Sequence, residues 1–438
     1  MNALHLQPSG GPLDGSIMVP GDKSISHRAI LFGAMSSGTT RVSGMLDSAD
    51  VRSSIRVIQQ LGARVNLEKM PDGSLAGGIE GWGEAGPSVS HEPLDCGNSG
   101  TTARLIMGML AGYDIEATIT GDDSLQSRPM VRVMTPLKKM GARFSPLDAT
   151  TLPLTVHGSS KLKAIRYATP VASAQVKSAI LLAGVHAKGT TQVQEPAPSR
   201  NHTELMLPRF GVSTLAVDGV AHVTGPVVSQ SAEISVPGDP SSAAFLLSAA
   251  ALTPGSAIQV EHVSLNPGRV GFLRVLENMG VDASRRSDTT LGKELVGVMS
   301  ARYCSNLHGV AIASEKMPSL IDEVPILSLV AAHAHGITVF KDVSELRVKE
   351  TDRVASIIEG LEILGVEAWC EGKSLLIEGK PDLAIEPGTQ FNSHGDHRMA
   401  MTWAVAAYAH GVDVVIDGFD AVDVSYPNFL AHMEQLSQ

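Results

Sequence analysis

The chain has 438 residues, 43% hydrophobic and 18% charged, with a formal net charge of −11. That length carries two or more domains and a core that needs no staples, while the acidic balance argues against a nucleic-acid binder, which shows a basic face. The cysteines Cys96, Cys304 and Cys370 are scattered, odd in number and without zinc spacing, so a reduced cytoplasmic protein with no metal site is expected. Residues 1–15 lack the basic and apolar regions of an export signal. The longest apolar runs, such as 243–252, are about half a membrane span, so no membrane association is expected.

In chain order, the first strong signal is Val19-Pro-Gly-Asp-Lys-Ser-Ile-Ser-His-Arg28. Its Pro-Gly reads as a hinge, since proline restricts one residue and glycine frees the next. Lys23-Ser24 then open a helix through 29–35, with Ser24 and Arg28 four apart on one face. An amphipathic run closes on Leu61-Gly-Ala63, where glycine suits the left-handed residue that ends a helix. Asn98-Ser-Gly-Thr-Thr102 open the helix 103–110, with Arg104 in its first turn, and the next helix closes on Met140-Gly-Ala142. Ser173-Ala-Gln175 open 176–184, and Ser199-Arg-Asn-His202 open a helix closing on Phe210-Gly-Val212.

The hinge phrase then returns as Val236-Pro-Gly-Asp-Pro-Ser-Ser-Ala-Ala-Phe245, with Pro240 and Phe245 where the first copy has Lys23 and Arg28. Helices beyond it close on Met279-Gly-Val281 and Leu364-Gly-Val366. Thr351-Asp-Arg353 open 354–364, with Lys349 and Arg353 four apart and so on one helix face. Gly395-Asp-His-Arg398 open 399–407, and Phe429-Leu-Ala-His-Met-Glu-Gln-Leu436 is a sixth amphipathic run. The closing phrases recur at roughly 70–85 residues, the size of a small α/β unit and too long for a common solenoid repeat. Six units are predicted, three per lobe: 1–20 plus 238–438 form one lobe and 21–237 the other, with hinges near 20–21 and 237–238. Cations kept in one hinge copy only suggest two similar lobes that divide the chemistry unequally, with a single active site between them.

Helix N-termini attract anions through free backbone N–H groups and the helix dipole. Six such starts, nearly all with Lys or Arg within a turn, predict a site for a substrate carrying phosphate and carboxylates. Competing motifs fail. Gly81-Trp-Gly-Glu-Ala-Gly86 matches a dinucleotide loop, but Pro87 follows and no helix begins. His333-Ala-His335 lacks a third metal ligand and reads as helix-end histidine.

Pro20-Gly-Asp-Lys-Ser24, Cys96-Gly-Asn-Ser-Gly-Thr-Thr-Ala-Arg104, Ser127-Arg-Pro-Met130, Ser173-Ala-Gln-Val-Lys177, Arg347-Val-Lys-Glu-Thr-Asp-Arg353 and Asp396-His-Arg-Met-Ala400, in that order, resemble the 5-enolpyruvylshikimate-3-phosphate synthase family. The resemblance runs from about residue 5 to Phe429. It implies an α/β fold of two lobes, an inside-out α/β barrel built from six βαβαββ repeats. It also implies transfer of the enolpyruvyl group of phosphoenolpyruvate to shikimate 3-phosphate by a monomer, without cofactor, and lobe closure on substrate. Carried over by motif, Lys23, Asn98, Gly100, Arg128, Gln175, Arg353 and Arg398 hold phosphoenolpyruvate. Lys23, Ser24, Arg28, Ser173, Ala174, Gln175, Arg200, Asp322 and Lys349 hold shikimate 3-phosphate, and Lys23, Asp322 and Glu350 are the catalytic candidates. Asp322 has a competing reading as the cap of a helix over 325–334.

Two departures matter. Val424-Ser-Tyr-Pro427 stand where many members have Lys-Thr-Phe-Pro, which removes one phosphoenolpyruvate lysine. Ala174, Arg200 and Arg132 resemble the branch often tolerant of glyphosate (class II), yet Gly100 stands where its tolerant members carry Ala, so inhibition by glyphosate is expected. The related UDP-N-acetylglucosamine enolpyruvyl transferase carries a loop cysteine before its Arg-Pro pair; Gly121 to Pro129 here has none.

Overall fold

The five glycine phrases do end helices. Gly62, Gly141, Gly211, Gly280 and Gly365 have φ of 96, 120, 76, 104 and 67°, the left-handed region that glycine enters without a Cβ clash. Ala49–Gln60, Val131–Met140, Gly271–Asn278 and Arg353–Ile363 stop just before them. His202–Met206 instead tightens into a 3-10 turn over Leu207–Phe210, where Pro208 has no N–H for the next helical bond.

The computed structural model describes residues 3–438, in two compact units. One is Gly21–Val236 with Leu291–Glu294; the other is the segment ending at Pro20, Pro237–Thr290 and Leu295–Gln438. Each unit holds three small sheets. In the first, Leu94–Asp95 pairs in parallel with Glu116–Thr120, which is followed across the sheet by antiparallel Leu154–His157 and Arg143–Ser145. Arg166–Ala168, Gly189–Gln194, Val220–Gly225 and Thr214–Val217 repeat that order, with a helix crossing over within each parallel pair. This is the βαβαββ unit that the family resemblance implies.

The two hinge copies exchange their opening strands. Asp14–Met18, before the first copy, pairs in parallel with Ala257–Ser264, whereas Glu233–Ser235, before the second, pairs in parallel with Thr39–Met45. Each copy is therefore where the chain leaves a strand in one unit and starts a helix in the other. Close approach, rather than freedom of rotation, explains the glycines. A side chain on Gly21 would overlap the Gly44 carbonyl, and one on Gly238 would sit 2.9 Å from Val19 Cγ2. The sixth repeat also departs from expectation: its sheet has three strands, and Leu4–Leu6 supplies the antiparallel partner of Val414–Asp417.

Helices form the core of each unit. Lys23–Met35, Gly100–Leu110 and Ala174–His186 pack in one unit, where a side chain on Gly108 would overlap the Ala179 backbone. Pro240–Leu252, Val324–Ala332 and His397–His410 pack in the other, and Pro240–Leu252 is buried at every residue. Sheets lie outside them; Ala283–Leu291 is exposed at all but its ends. Fully burying each Leu, Ile or Phe of those helices stabilises by about 1.5–3 kcal/mol, so the core sits around helices and the arrangement is inside-out for an α/β protein.

Burial also sets a pH dependence. His186 and His333 are each pushed down to about 4 by desolvation, and His27 well below its usual value. His333 Nε2 lies 2.8 Å from His410 Nε2, so the two rings cannot both be protonated without repulsion. Unfolding releases these rings to their ordinary value near 6.5, so the unfolded chain binds more protons between pH 6.5 and 4. Stability is full above that window and falls through it, by on the order of 2 kcal/mol for each of His186 and His333 at pH 5. Denaturant titrations at pH 8 and pH 5 should show this loss, and His333→Gln should reduce it; equal midpoints at both pH values would contradict it.

Candidate active site

In the unit of residues 21–236, each candidate sits at the first turn of a core helix. Asp22 Oδ1 accepts from Ile25 N at 2.8 Å and caps Lys23–Met35. Lys23, next to that cap, donates from Nζ to Asp50 Oδ2 at 3.2 Å, and its side chain is 19% exposed. Asp50 is a partner that the sequence did not single out; an acidic residue in a helix first turn is ordinary dipole chemistry and gives no distinguishing signal. Arg28 is buried. Its Nε donates to Thr203 Oγ1 and its Nη2 to Ser178 Oγ, both at 2.8 Å, and Nη1 returns to the Ser24 carbonyl at 3.0 Å. Ser24 and Arg28 thus share the expected face.

Ser99 caps Gly100–Leu110 and presents the neighbouring polar groups. Arg128 Nη2 donates to Asn98 Oδ1 at 2.6 Å and to Ser124 Oγ at 3.1 Å, while Asn98 Nδ2 donates to Asp122 Oδ2 at 2.8 Å. Gln175 donates to Thr101 Oγ1 at 3.0 Å and accepts from Arg104 Nη1 at 2.9 Å. Arg104 also reaches the Pro129 carbonyl at 3.2 Å, so it ties Gln175 to the segment after Arg128. Ser173 caps Ala174–His186 through Val176 N, leaving the first-turn amides of Ala174 and Gln175 without an intrahelical acceptor. Arg200, half-buried, lies two residues before His202–Met206.

In the other unit the structure joins Asp322, Lys349, Glu350, Arg353 and Arg398 into one network. Asp322 Oδ1 accepts from Lys349 Nζ at 3.1 Å and from Arg353 Nη1 at 3.2 Å, and Arg398 Nη1 donates to the Asp322 carbonyl at 3.1 Å. Arg353 Nη2 donates to Glu350 at 2.6 Å, and its Nε to Asp396 Oδ2 at 2.7 Å. Burial opposes the Arg353 charge, but Asp396, Glu350 and Asp322 outweigh it and its pKa is raised. The competing reading of Asp322 fails, because Val324–Ala332 has no side-chain cap and Asp322 spends its oxygens on cations.

One expectation is corrected here. Lys349 and Arg353 do not share a helix face: the helix begins at Arg353, capped by Asp352, and Lys349 precedes it in extended backbone. The two cations meet through Asp322 instead. Tyr426, in the departing Val-Ser-Tyr-Pro stretch, is buried with its hydroxyl 2.9 Å from His432 Nδ1, as a core residue. Gly83–Ala85 is a 3-10 turn with no helix after it, and Trp82 donates to the Tyr113 hydroxyl at 3.1 Å, so no dinucleotide loop is built. Among the described residues there is no cluster of three or more His, Cys, Asp or Glu able to hold a metal ion.

The EPSP synthase (3-phosphoshikimate 1-carboxyvinyltransferase) family model matches residues 8–433. The chain is 45% identical to the 3-phosphoshikimate 1-carboxyvinyltransferase of Halorhodospira halophila over 433 residues, covering 98% of this chain and 94% of the relative. The solved EPSP synthase from Acinetobacter baumannii superposes with a TM-score of 0.85 at 36% identity, over 99% of this chain and 98% of that one. The enolpyruvyl transferase NikO from Streptomyces tendae, 16% identical, shares the fold with a TM-score of 0.78 over 99% of this chain and 97% of that one. The chain belongs to the EPSP synthase family.

Proposed function

We propose that the chain transfers the enolpyruvyl group of phosphoenolpyruvate to the 5-hydroxyl of shikimate 3-phosphate and releases phosphate. The observation that carries this reading is Asp322, a nearly buried carboxylate held by Lys349 and Arg353 beside Arg398. A base wired to cations suits a reaction in which a hydroxyl loses its proton while attacking an anionic donor.

In this reading the hydroxyl oxygen bonds to C2 of phosphoenolpyruvate as its proton passes to Asp322. A proton from Glu350 makes the methylene carbon a methyl group, giving a tetrahedral phospho-ketal. The C2–O bond to phosphate then breaks as Lys23 gives a proton to the leaving group, and Glu350, now a carboxylate, takes back a methyl proton to restore the double bond. Arg353 has each guanidinium nitrogen on a carboxylate, so a donor carboxylate reaches it in exchange for one of them. Glu350, 24% exposed, is the readiest to leave, and its departure frees the group that the proton transfer needs. Asn98, Gly100, Arg128, Gln175 and Arg398 complete the donor set; Ser24, Arg28, Ser173, Ala174 and Arg200 serve the acceptor. No helix among the described residues is long and apolar enough to cross a membrane, and the enzyme is read as a cytoplasmic monomer.

Glyphosate is the expected inhibitor, and Gly100 the position that decides sensitivity. A methyl there would lie 2.6 Å from Arg104 Nη1 and 3.6 Å from Arg128 Nη1. Arg104 would have to swing off Gln175, so Gly100→Ala should weaken glyphosate by about tenfold or more through a built-in clash, with a smaller rise in KM for phosphoenolpyruvate. Equal inhibition curves for wild type and variant would remove Gly100 from the donor site.

The decisive experiment is phosphate release by the chelator-treated protein with phosphoenolpyruvate and either shikimate 3-phosphate or UDP-N-acetylglucosamine. Release with shikimate 3-phosphate alone supports the proposal. Release with the sugar nucleotide alone would move the chain to the other acceptor, and silence with both would leave an anion-binding protein.

A further inference from the structure

We propose that Glu195 is a positioning residue for the shikimate 3-phosphate subsite, an inference that rests on the function proposed above. Glu195 follows the strand Gly189–Gln194, and its side chain is 5% exposed. Its Oε1 accepts from the backbone N of Ser173 at 2.8 Å. Its Oε2 accepts from the Ser199 hydroxyl at 2.8 Å and from the Ser199 backbone N at 3.4 Å. One carboxylate therefore fastens the cap of the helix bearing Ala174 and Gln175 and the residue next to Arg200.

The stretch that it fastens lies outside the regular elements. Residues 195–201 read Glu-Pro-Ala-Pro-Ser-Arg-Asn and form no regular element. Pro196 and Pro198 restrict φ but donate no N–H, so the backbone there makes few bonds of its own. An anion binds tightly only where its donors are already in place, because ordering a loop on binding costs affinity. Glu195 supplies that order before the ligand arrives.

A bare carboxylate under a phosphate subsite would repel the ligand, and the structure answers this with Lys177. Its Nζ lies 2.8 Å from Glu195 Oε2 and 2.9 Å from Glu204 Oε1. Burial opposes the Lys177 charge, but Glu204 and Glu195 override it and the pKa is raised. Glu204 offers an internal comparison. It holds the same lysine from the helix His202–Met206, but its other oxygen is buried without a hydrogen bond, and it touches neither Ser173 nor Ser199.

The test is steady-state kinetics with unfolding midpoints for Glu195→Gln, Glu204→Gln and Ser199→Ala. Hydrogen bonds to a charged group support a rise of about tenfold or more in KM for shikimate 3-phosphate in Glu195→Gln, with kcat and the KM for phosphoenolpyruvate within about threefold. Glu204→Gln should lower the midpoint yet leave the KM for shikimate 3-phosphate within about threefold of wild type. Ser199→Ala removes only a half-buried hydroxyl, so it reports even if Glu195→Gln does not fold; its KM for shikimate 3-phosphate should rise about threefold or more. A purely structural role would reduce the folded fraction, and hence kcat, without moving that KM. The proposal is overturned if Glu195→Gln keeps the wild-type KM, if Glu204→Gln raises it equally, or if Ser199→Ala leaves it unchanged when Glu195→Gln is unfolded. A wild type inactive with shikimate 3-phosphate would instead defeat the proposed function itself, before any variant is compared.

Discussion

Asp322→Asn should lower kcat by roughly a hundred- to ten-thousandfold, the span expected for loss of a positioned general base, with little change in either KM. Asparagine keeps the shape and one accepting oxygen for Lys349 or Arg353, so the network persists while the basicity disappears. Arg353 retains Asp396 and Glu350 as counter-charges, so the fold should survive. Phosphate release and the unfolding midpoint, measured on one preparation, separate the two effects. A variant with wild-type kcat would withdraw the proton-accepting role and leave Asp322 as a holder of cations.

Arg353→Met should be the most damaging single change to stability. The guanidinium is 1% exposed and contacts Asp396, Glu350 and Asp322, of which Asp396 is fully buried. Removing the cation strands these carboxylates, a defect of about 3–5 kcal/mol when a buried pair loses one partner. Activity should vanish as well, since the donor carboxylate loses its ligand. The sign with pH is specific: protonating the stranded carboxylates relieves their repulsion, so the deficit relative to wild type should shrink as pH falls. Arg353→Lys should recover part of the stability but little activity, because a point charge cannot span three carboxylates as a planar fork does. A variant as stable as wild type at neutral pH would show that the three carboxylates do not depend on this cation.

Much of the fold was legible because it rests on local rules. Helix ends at Gly62, Gly141, Gly211, Gly280 and Gly365 were readable since a left-handed residue is a property of one position. The caps Ser99, Ser173, Asp352 and Asp396 were readable since each bonds within its own first turn. The Lys349 and Arg353 pairing was misassigned for the same reason. A four-residue spacing marks a common face only inside a helix, and Asp352 starts that helix three residues after Lys349.

By itself, the sequence determined six α/β repeats in two similar halves, the helix starts that carry Lys, Arg and the capping residues, and through its motifs the family. These follow from interactions within a turn or from the order of residues along the chain. Only the tertiary structure decided who pairs with whom: Lys23 with Asp50, 27 residues away; Arg353 with Asp396, 43 away; and Glu195 with Ser173, 22 away. It alone decided that the hinge copies exchange strands and that Leu4–Leu6 completes the sixth sheet. Such pairings depend on which charges are buried together and which strand edges lie side by side, and burial is a property of the packed chain, not of any stretch of it.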